Sequence, residues 1–238
     1  MPTVVLPQQP YRNRVLAALP AVDIERISEH LAPVTLKSKR SLQEHGERID
    51  TVYFLEDAVA SVVVTMKNGS TVEVGLIGRD GVVGLPAVLN SGHAVNRTFI
   101  QVPGQGYSMK AKVLREQIEL STSLRSALQL ATEGYLVQTA QTAACNRIHE
   151  LEERLARWLM MCSDRVQSDH IPITHEFLAM MLGTRRSSVT VAAGILHKAG
   201  LITYSRGSVT IQNRDGLVDA ACECYQFVHQ EYIRLGLL

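Results

Sequence analysis

Arg185, Arg186, Ser187, Ser188 and Thr190 fall within six consecutive positions of this 238-residue chain. Two guanidinium groups and three hydroxyls make neither a nucleophile–base pair nor a metal-ligand set. They are hydrogen-bond donors, two of them permanently cationic, and they suit phosphate oxygens or the O6 and N7 edge of guanine. The residues that follow, "VTVAAGILHK", are small and mostly uncharged. Arginines do not favour the positive end of a helix dipole. Their placement at the mouth of so plain a helix therefore calls for an anionic partner.

The flanking sequence supplies the scaffold. Thr174 can cap a helix over "HEFLAMML", whose buried side is Phe177, Leu178, Met181 and Leu182. Gly183 suits a positive φ at that helix's end. Thr184 can open the next helix, about Arg185 to Lys198, with Val189, Ala192, Ala193, Ile195 and Leu196 as apolar contacts and Gly200 as its stop. Two helices joined through a short glycine turn make a helix-turn-helix. "LITYS", "RGS" and "VTIQ" then read as a hairpin, completing a winged helix. The first turn of such a recognition helix addresses base edges in the major groove. Thr174, Arg185, Arg186, Ser187, Ser188 and Thr190 are thus the candidate DNA contacts, with Arg206 at the wing tip on a phosphate. Between Thr174 and Arg214 there are five Lys/Arg against one acidic residue, Glu176. The basic balance is local, since the whole chain carries a formal charge of only +1.

Upstream the texture differs. Pro10 and Pro20 punctuate the start, with "YRNRVLAAL" and "AVDIERISEHL" as two short helices, Asp23 capping the second. From Val34 to about Tyr107, β-rich runs such as "TVYFL", "ASVVVTM", "TVEVGLI" and "TFIQV" alternate with glycine-bearing turns, which predicts a sandwich or barrel-like roll. Asn68-Gly69 predicts a hairpin. Ser123 to Ile148 then reads as one long helix with two stripes. The first is Leu124, Leu128, Ala131, Tyr135, Gln138, Thr142 and Cys145; the second is Ala127, Leu130, Gly134, Val137, Gln141, Ala144 and Ile148. Two stripes imply two covered surfaces, one on the roll and one on a partner helix. A further helix, "ELEERLARWLMMCSDRV", follows a boundary near Asn146–Glu150.

Composition narrows the function classes. Apolar residues make up 46% of the chain and charged ones 20%, enough for a real core and against disorder. The N-terminus lacks the pattern of a signal peptide, and no apolar run is long enough to span a bilayer, so a cytoplasmic protein with no membrane partner is expected. Cys145, Cys162, Cys222 and Cys224 are too few for a disulfide framework. Cys222-Glu223-Cys224 lacks the pair spacing and companion ligands of a zinc site, so no metal and no cofactor are expected. His45 with Glu44 and Glu47, or His149 with Glu150, Glu152 and Glu153, would be the acid–base candidates of an enzyme. Neither comes with a nucleophile motif, phosphate loop or metal spacing, and no enzyme is expected. A ligand-gated adaptor whose winged helix binds protein instead of DNA is the remaining alternative.

The stretch "ITHEFLAMMLGTRRSSVTVAAGIL", with "KAGLI" and the wing behind it and the roll and long helix before it, resembles the Crp–Fnr family of bacterial transcription regulators. The resemblance implies an α+β chain with a cyclic-nucleotide-binding-type β-roll sensor over residues 1–122, a dimerisation helix over 123–148 and a winged helix-turn-helix with a C-terminal helix over 149–238. It implies a homodimer on double-stranded DNA with an inverted-repeat operator, RNA polymerase as a further partner, and a hinge at Asn146–Glu150. Arg186 falls where the family carries its base-reading arginine. Ser187 stands where many members have glutamate, and Val191 where several have a second arginine. In the sensor, the resemblance places the effector site at Gly84, Arg97 and Thr98, with Thr139 reaching in from the long helix. Leu85 and Pro86 stand where the nucleotide-binding members have their ribose-binding glutamate, so cyclic nucleotides are not expected as effectors. No cysteine precedes Cys145, which leaves the iron–sulfur sensing pattern of other members unmatched. The effector is left open.

Overall fold

The computed structural model describes residues 11–238 apart from Asn90 and Arg206, so Pro10 and the wing-tip Arg206 lie outside the described residues. Two short helices begin it, α1 (Arg14–Ala17) and α2 (Ala21–Ser28). The Asn13 side chain caps α1, accepting from Val15 and Leu16 N–H, and its amide donates to Leu55 and Gly81 carbonyls, which pins the entry of the chain to the roll. Asp23 does not cap α2. That position belongs to Pro20, and the Asp23 carboxylate instead accepts from Ser121 Oγ at 2.7 Å.

Seven strands form the roll: β1 (Ala32–Leu36), β2 (Ser41–Gln43), β3 (Thr51–Leu55), β4 (Val59–Thr65), β5 (Thr71–Ile77), β6 (Arg97–Val102) and β7 (Gly104–Lys110). They pair in two antiparallel sheets, ordered β1-β7-β3 and β2-β6-β4-β5. Asn68-Gly69 does turn the β4–β5 hairpin, with Gly69 at φ +85° and Met66 N–H donating to Ser70 C=O at 2.8 Å. A single-turn helix, α3 (Leu85–Val88), sits between β5 and β6.

The chain then turns helical with α4 (Ala111–Leu120) and α5 (Thr122–Ile148). Ser121 caps α5 by accepting from Leu124 N–H at 3.0 Å. The helix breaks at His149–Glu150, where His149 turns to extended backbone and Glu150 starts α6 (Leu151–Val166) in a reciprocal capping box with Glu153. β8 (His170–Ile171), α7 (His175–Met181), α8 (Arg186–Lys198), β9 (Ile202–Ser205) and β10 (Ser208–Ile211) complete the winged helix, with strand order β8-β10-β9. α9 (Arg214–Ala220) and α10 (Glu223–Arg234) end the chain.

Two features of the core position the site. One core cluster runs continuously from Val63, Leu76 and Phe99 of the roll into Trp158, Met181 and Leu182 of the helices below, so the winged helix is docked on the roll. Phe99 and Phe177 meet edge to face across that seam, centroids 5.8 Å apart. The second feature is α10, which doubles back onto α5. At Gly134 the approach is close: a Cβ there would lie 2.5 Å from the Leu237 Cδ1 tip just past α10 and 3.5 Å from the Tyr232 ring.

The two stripes of α5 therefore divide differently from the sequence expectation. Leu124, Leu128, Ala131, Gln138, Thr142 and Cys145 are buried within the chain, and so are Ala127 and Gly134 from the second stripe. The polar members have partners. Gln138 acts as a piece of strand, accepting from Leu76 N–H at 3.1 Å and donating to Leu76 C=O at 2.9 Å. Leu130, Ala144 and Ile148 of the second stripe are exposed instead, because α10 covers that side only around Gly134 and Gln141. The face opposite the buried one carries Gln129, Leu136, Ala140, Ala143 and Arg147, with Leu136 62% exposed.

Candidate nucleic-acid interface

Local chemistry sets the geometry of the helix-turn-helix. Thr174 Oγ1 accepts from Phe177 N–H at 3.2 Å and opens α7. Gly183 ends it at φ +62°, a left-handed conformation that costs glycine little, and its position leaves only 3.0 Å from a would-be Cβ to Val72 of β5. Arg185 is the extended N-cap of α8 and Arg186 its first residue. Val189, Ala192, Ala193 and Leu196 are buried beneath, which turns Arg185, Arg186 and Ser187 outward. Ile195, expected among the core contacts, is 47% exposed.

Neither Arg185 nor Arg186 has an ion-pair partner among the described residues. Arg214 differs. It pairs with Asp164 and, at 3.3 Å, with Asp169, so this cation of the local basic balance is already neutralised. Ser188 is half-buried. The Thr190 hydroxyl is turned back into the protein, donating to Arg186 C=O at 3.0 Å and lying 3.2 Å from His175 Nδ1. That occupied hydroxyl makes Thr190 a positioner of the first turn more than a free donor. Burial, then the Arg186 charge, holds the His175 pKa below its ordinary value, which disfavours the charged form of this ring beside the arginines. Thr174, His175, Arg186, Tyr204 and Ser208 line a single groove of about 380 Å³ between the helix-turn-helix and the wing.

In the sensor, the four candidate effector residues do not converge. Gly84 and Thr98 line a small apolar cavity of about 160 Å³ between α3 and α5, together with Leu85, Pro86, Tyr135 and Leu136. Arg97 lies outside it. Its guanidinium pairs with Glu44 at 3.3 Å and stacks on Phe99, at the rim of a groove between roll and winged helix. Thr139 is also outside, its hydroxyl donating to Tyr135 C=O. Gly84 stands at φ +119° against Val52 and Pro86 occupies the first turn of α3, so that helix start lacks one backbone N–H for a phosphate.

The expectation that Cys222 and Cys224 lack companions is corrected by the fold. Cys222 is the extended N-cap of α10 and Cys224 its second residue, so the two are not splayed around a helix as neighbours two apart would be. Cys145 from the last turn of α5 and His149 from the helix break join them, and all four ligand atoms lie within 4.8 Å of one another. Cys145 Sγ and Cys222 Sγ lie 3.5 Å apart, and their pairing favours a thiolate at Cys145 and disfavours one at Cys222. Sequence spacing could not show this, because Cys145 and Cys222 are 77 residues apart.

Comparison with known proteins places the fold. Residues 153–220 match the Crp-like helix-turn-helix domain family. The global nitrogen regulator of Nostoc sp. is 21% identical over 191 residues, 74% of this chain and 83% of that protein. Among solved structures, FixK2 from Bradyrhizobium japonicum superposes with a TM-score of 0.68 at 15% identity, covering 81% of this chain and 98% of that one. A Crp-family transcriptional regulator from Thermus thermophilus superposes with a TM-score of 0.66 at 18% identity, covering 79% and 96%. The Nostoc and Thermus proteins are named as regulators, and no helix among the described residues is long and apolar enough to cross a membrane.

Proposed function

We propose that this chain, whose residues 153–220 match the Crp-like helix-turn-helix domain family, is a transcription regulator that binds an inverted-repeat DNA operator as a homodimer. The observation that carries this reading is the unpaired Arg185–Arg186 turn at the exposed start of α8, beside the wing. Arg186 reads a base and Arg185 holds a phosphate, because Arg186 sits one position deeper in the helix. The free face of α5 supplies the dimer contact through Leu136, Ala140 and Ala143. In this reading residues 1–122 sense, 123–148 dimerise and 149–238 bind DNA, with RNA polymerase as the downstream partner in a cytoplasmic setting.

The test begins with selection of bound sites from random duplexes. Binding is then measured on the selected site and its single-base variants at several salt concentrations. Arg186→Ala should remove about 1–3 kcal/mol of discrimination at one base pair per half-site. Arg185→Ala should weaken all duplexes alike and lower the salt slope by about one contact. Equal weakening on every variant by Arg186→Ala would make it a phosphate clamp. Absence of salt dependence in any selected binding would favour a protein-binding winged helix.

The effector, where one acts, is small and largely apolar. The α3–α5 cavity of about 160 Å³ falls below the roughly 300 Å³ of ordinary ligand pockets, and its lining holds no arginine. Calorimetry with cAMP and cGMP should show no binding at micromolar concentration. A micromolar dissociation constant abolished by Arg97→Ala would overturn this.

A further inference from the structure

From the convergence of Cys145, His149, Cys222 and Cys224 at the helix break, we infer that this chain holds one tetrahedral Zn²⁺ ion in a Cys₃His site. The ligand set is what zinc prefers, soft thiolates with one imidazole. The spacing also fits. Cys145 Sγ lies 3.5 Å from Cys222 Sγ, and Cys224 Sγ lies 3.5 Å from His149 Nδ1. Zinc–ligand bonds of about 2.0–2.3 Å in a tetrahedron put ligand atoms roughly 3.3–3.8 Å apart. Four ligands this close surround one ion and are too tightly gathered to embrace an iron–sulfur cluster.

An independent feature orients the imidazole. His149 Nε2 lies 3.0 Å from Glu223 Oε2, with the ring largely buried. A proton held on Nε2 by that carboxylate leaves the Nδ1 lone pair directed at the sulfurs, the outer-shell arrangement of metal-bound histidines. The surroundings suit the excess negative charge of three thiolates. Gln141 donates to Cys224 Sγ at 3.1 Å, Cys222 sits at the N-terminus of the twelve-residue α10, and the charges of Arg154 and Arg157 act on Cys145.

The ligands come from three places: the end of α5, the break before α6 and the start of α10. An ion there ties the long helix to the segment that leaves the winged helix. It would fix the angle between α5 and α6 and hold α10 in place as a strap. Metal binding displaces the protons of the cysteine thiols and any proton on the ligating imidazole nitrogen, so affinity rises with pH.

The full chain, purified without chelator, should carry about one zinc per protein by elemental analysis. Stripped under reducing conditions, it should take up Co²⁺ with the intense red-region and sulfur-to-metal bands of a tetrahedral thiolate site, and Zn²⁺ should displace them. Cys222→Ser and His149→Gln should abolish the tetrahedral signature, with circular dichroism showing whether each still folds. Glu223→Gln, at an exposed carboxylate, should keep the Co²⁺ spectrum and lower affinity about 10–100-fold. A folded, reduced chain that arrives metal-free and binds no Co²⁺ overturns the proposal. So does a weak octahedral spectrum, or a metal-free native mass two hydrogens short from a Cys145–Cys222 disulfide.

Discussion

Glu73 shows how much one residue can depend on its surroundings. It is buried where β5 meets α6, and one carboxyl oxygen accepts from Trp158 Nε1 at 2.8 Å while the other has no hydrogen-bond partner. Burial lifts its pKa from 4.5 to about 7, against the opposing pull of Ser61, Trp158, Arg157 and Arg165. Between those two values the folded chain keeps a proton that the unfolded chain gives up. Stability from this group is therefore present at acid pH and lost as pH rises through about 7. Urea unfolding of the wild type should show that loss, and Glu73→Gln should flatten it while keeping the bond from Trp158. An equal pH slope in both proteins would remove Glu73 from the account. Nothing in "TVEVGLI" marks this glutamate as buried. Alternation alone would have sent it to solvent, and only the docked helix covers it.

At the scale of elements, the helix-turn-helix was legible because its signals are local. Thr174 as cap, Gly183 as turn, Gly200 as stop and the apolar run between them each act within a few residues, and the structure has α7 and α8 nearly where they were expected. The long helix was legible as a helix but not in its partners. Periodicity tells how many faces are covered, not by what, and α10 returns from about ninety positions downstream to cover one of them. This changes how dimerisation is tested. Leu128 is fully buried within the chain, so Leu128→Glu should unfold it at a cost of several kcal/mol. Leu136 is 62% exposed, and Leu136→Glu should leave the thermal midpoint close to that of the wild type while shifting sedimentation from dimer to monomer and abolishing operator binding. A Leu136→Glu chain that still sediments as a dimer would place the contact elsewhere. The Cys₃His grouping was illegible for the same reason as the α10 strap, since its halves meet only in the finished fold.

At the scale of the molecule, the winged helix is held against the roll by more than apolar contact. Arg165 of α6 reaches Asp80 of the roll at 2.6 Å, with both side chains 3% exposed, and its guanidinium also lies over the Tyr232 ring of α10. Asp80→Ala would leave that cation buried without its counter-charge, a change that costs about 3–5 kcal/mol in comparable buried pairs. Chemical denaturation should show a loss of that size, and a change below about 1 kcal/mol would mean that water reaches Arg165. The chain's single tryptophan, Trp158, sits in this same contact, 3% exposed and bonded to Glu73. The protein therefore carries its own optical gauge. Emission of the docked form should be blue-shifted and insensitive to iodide quenching. Any effector, metal or operator that loosens the winged helix from the roll should be visible as a red shift and a rise in quenching, with no label attached.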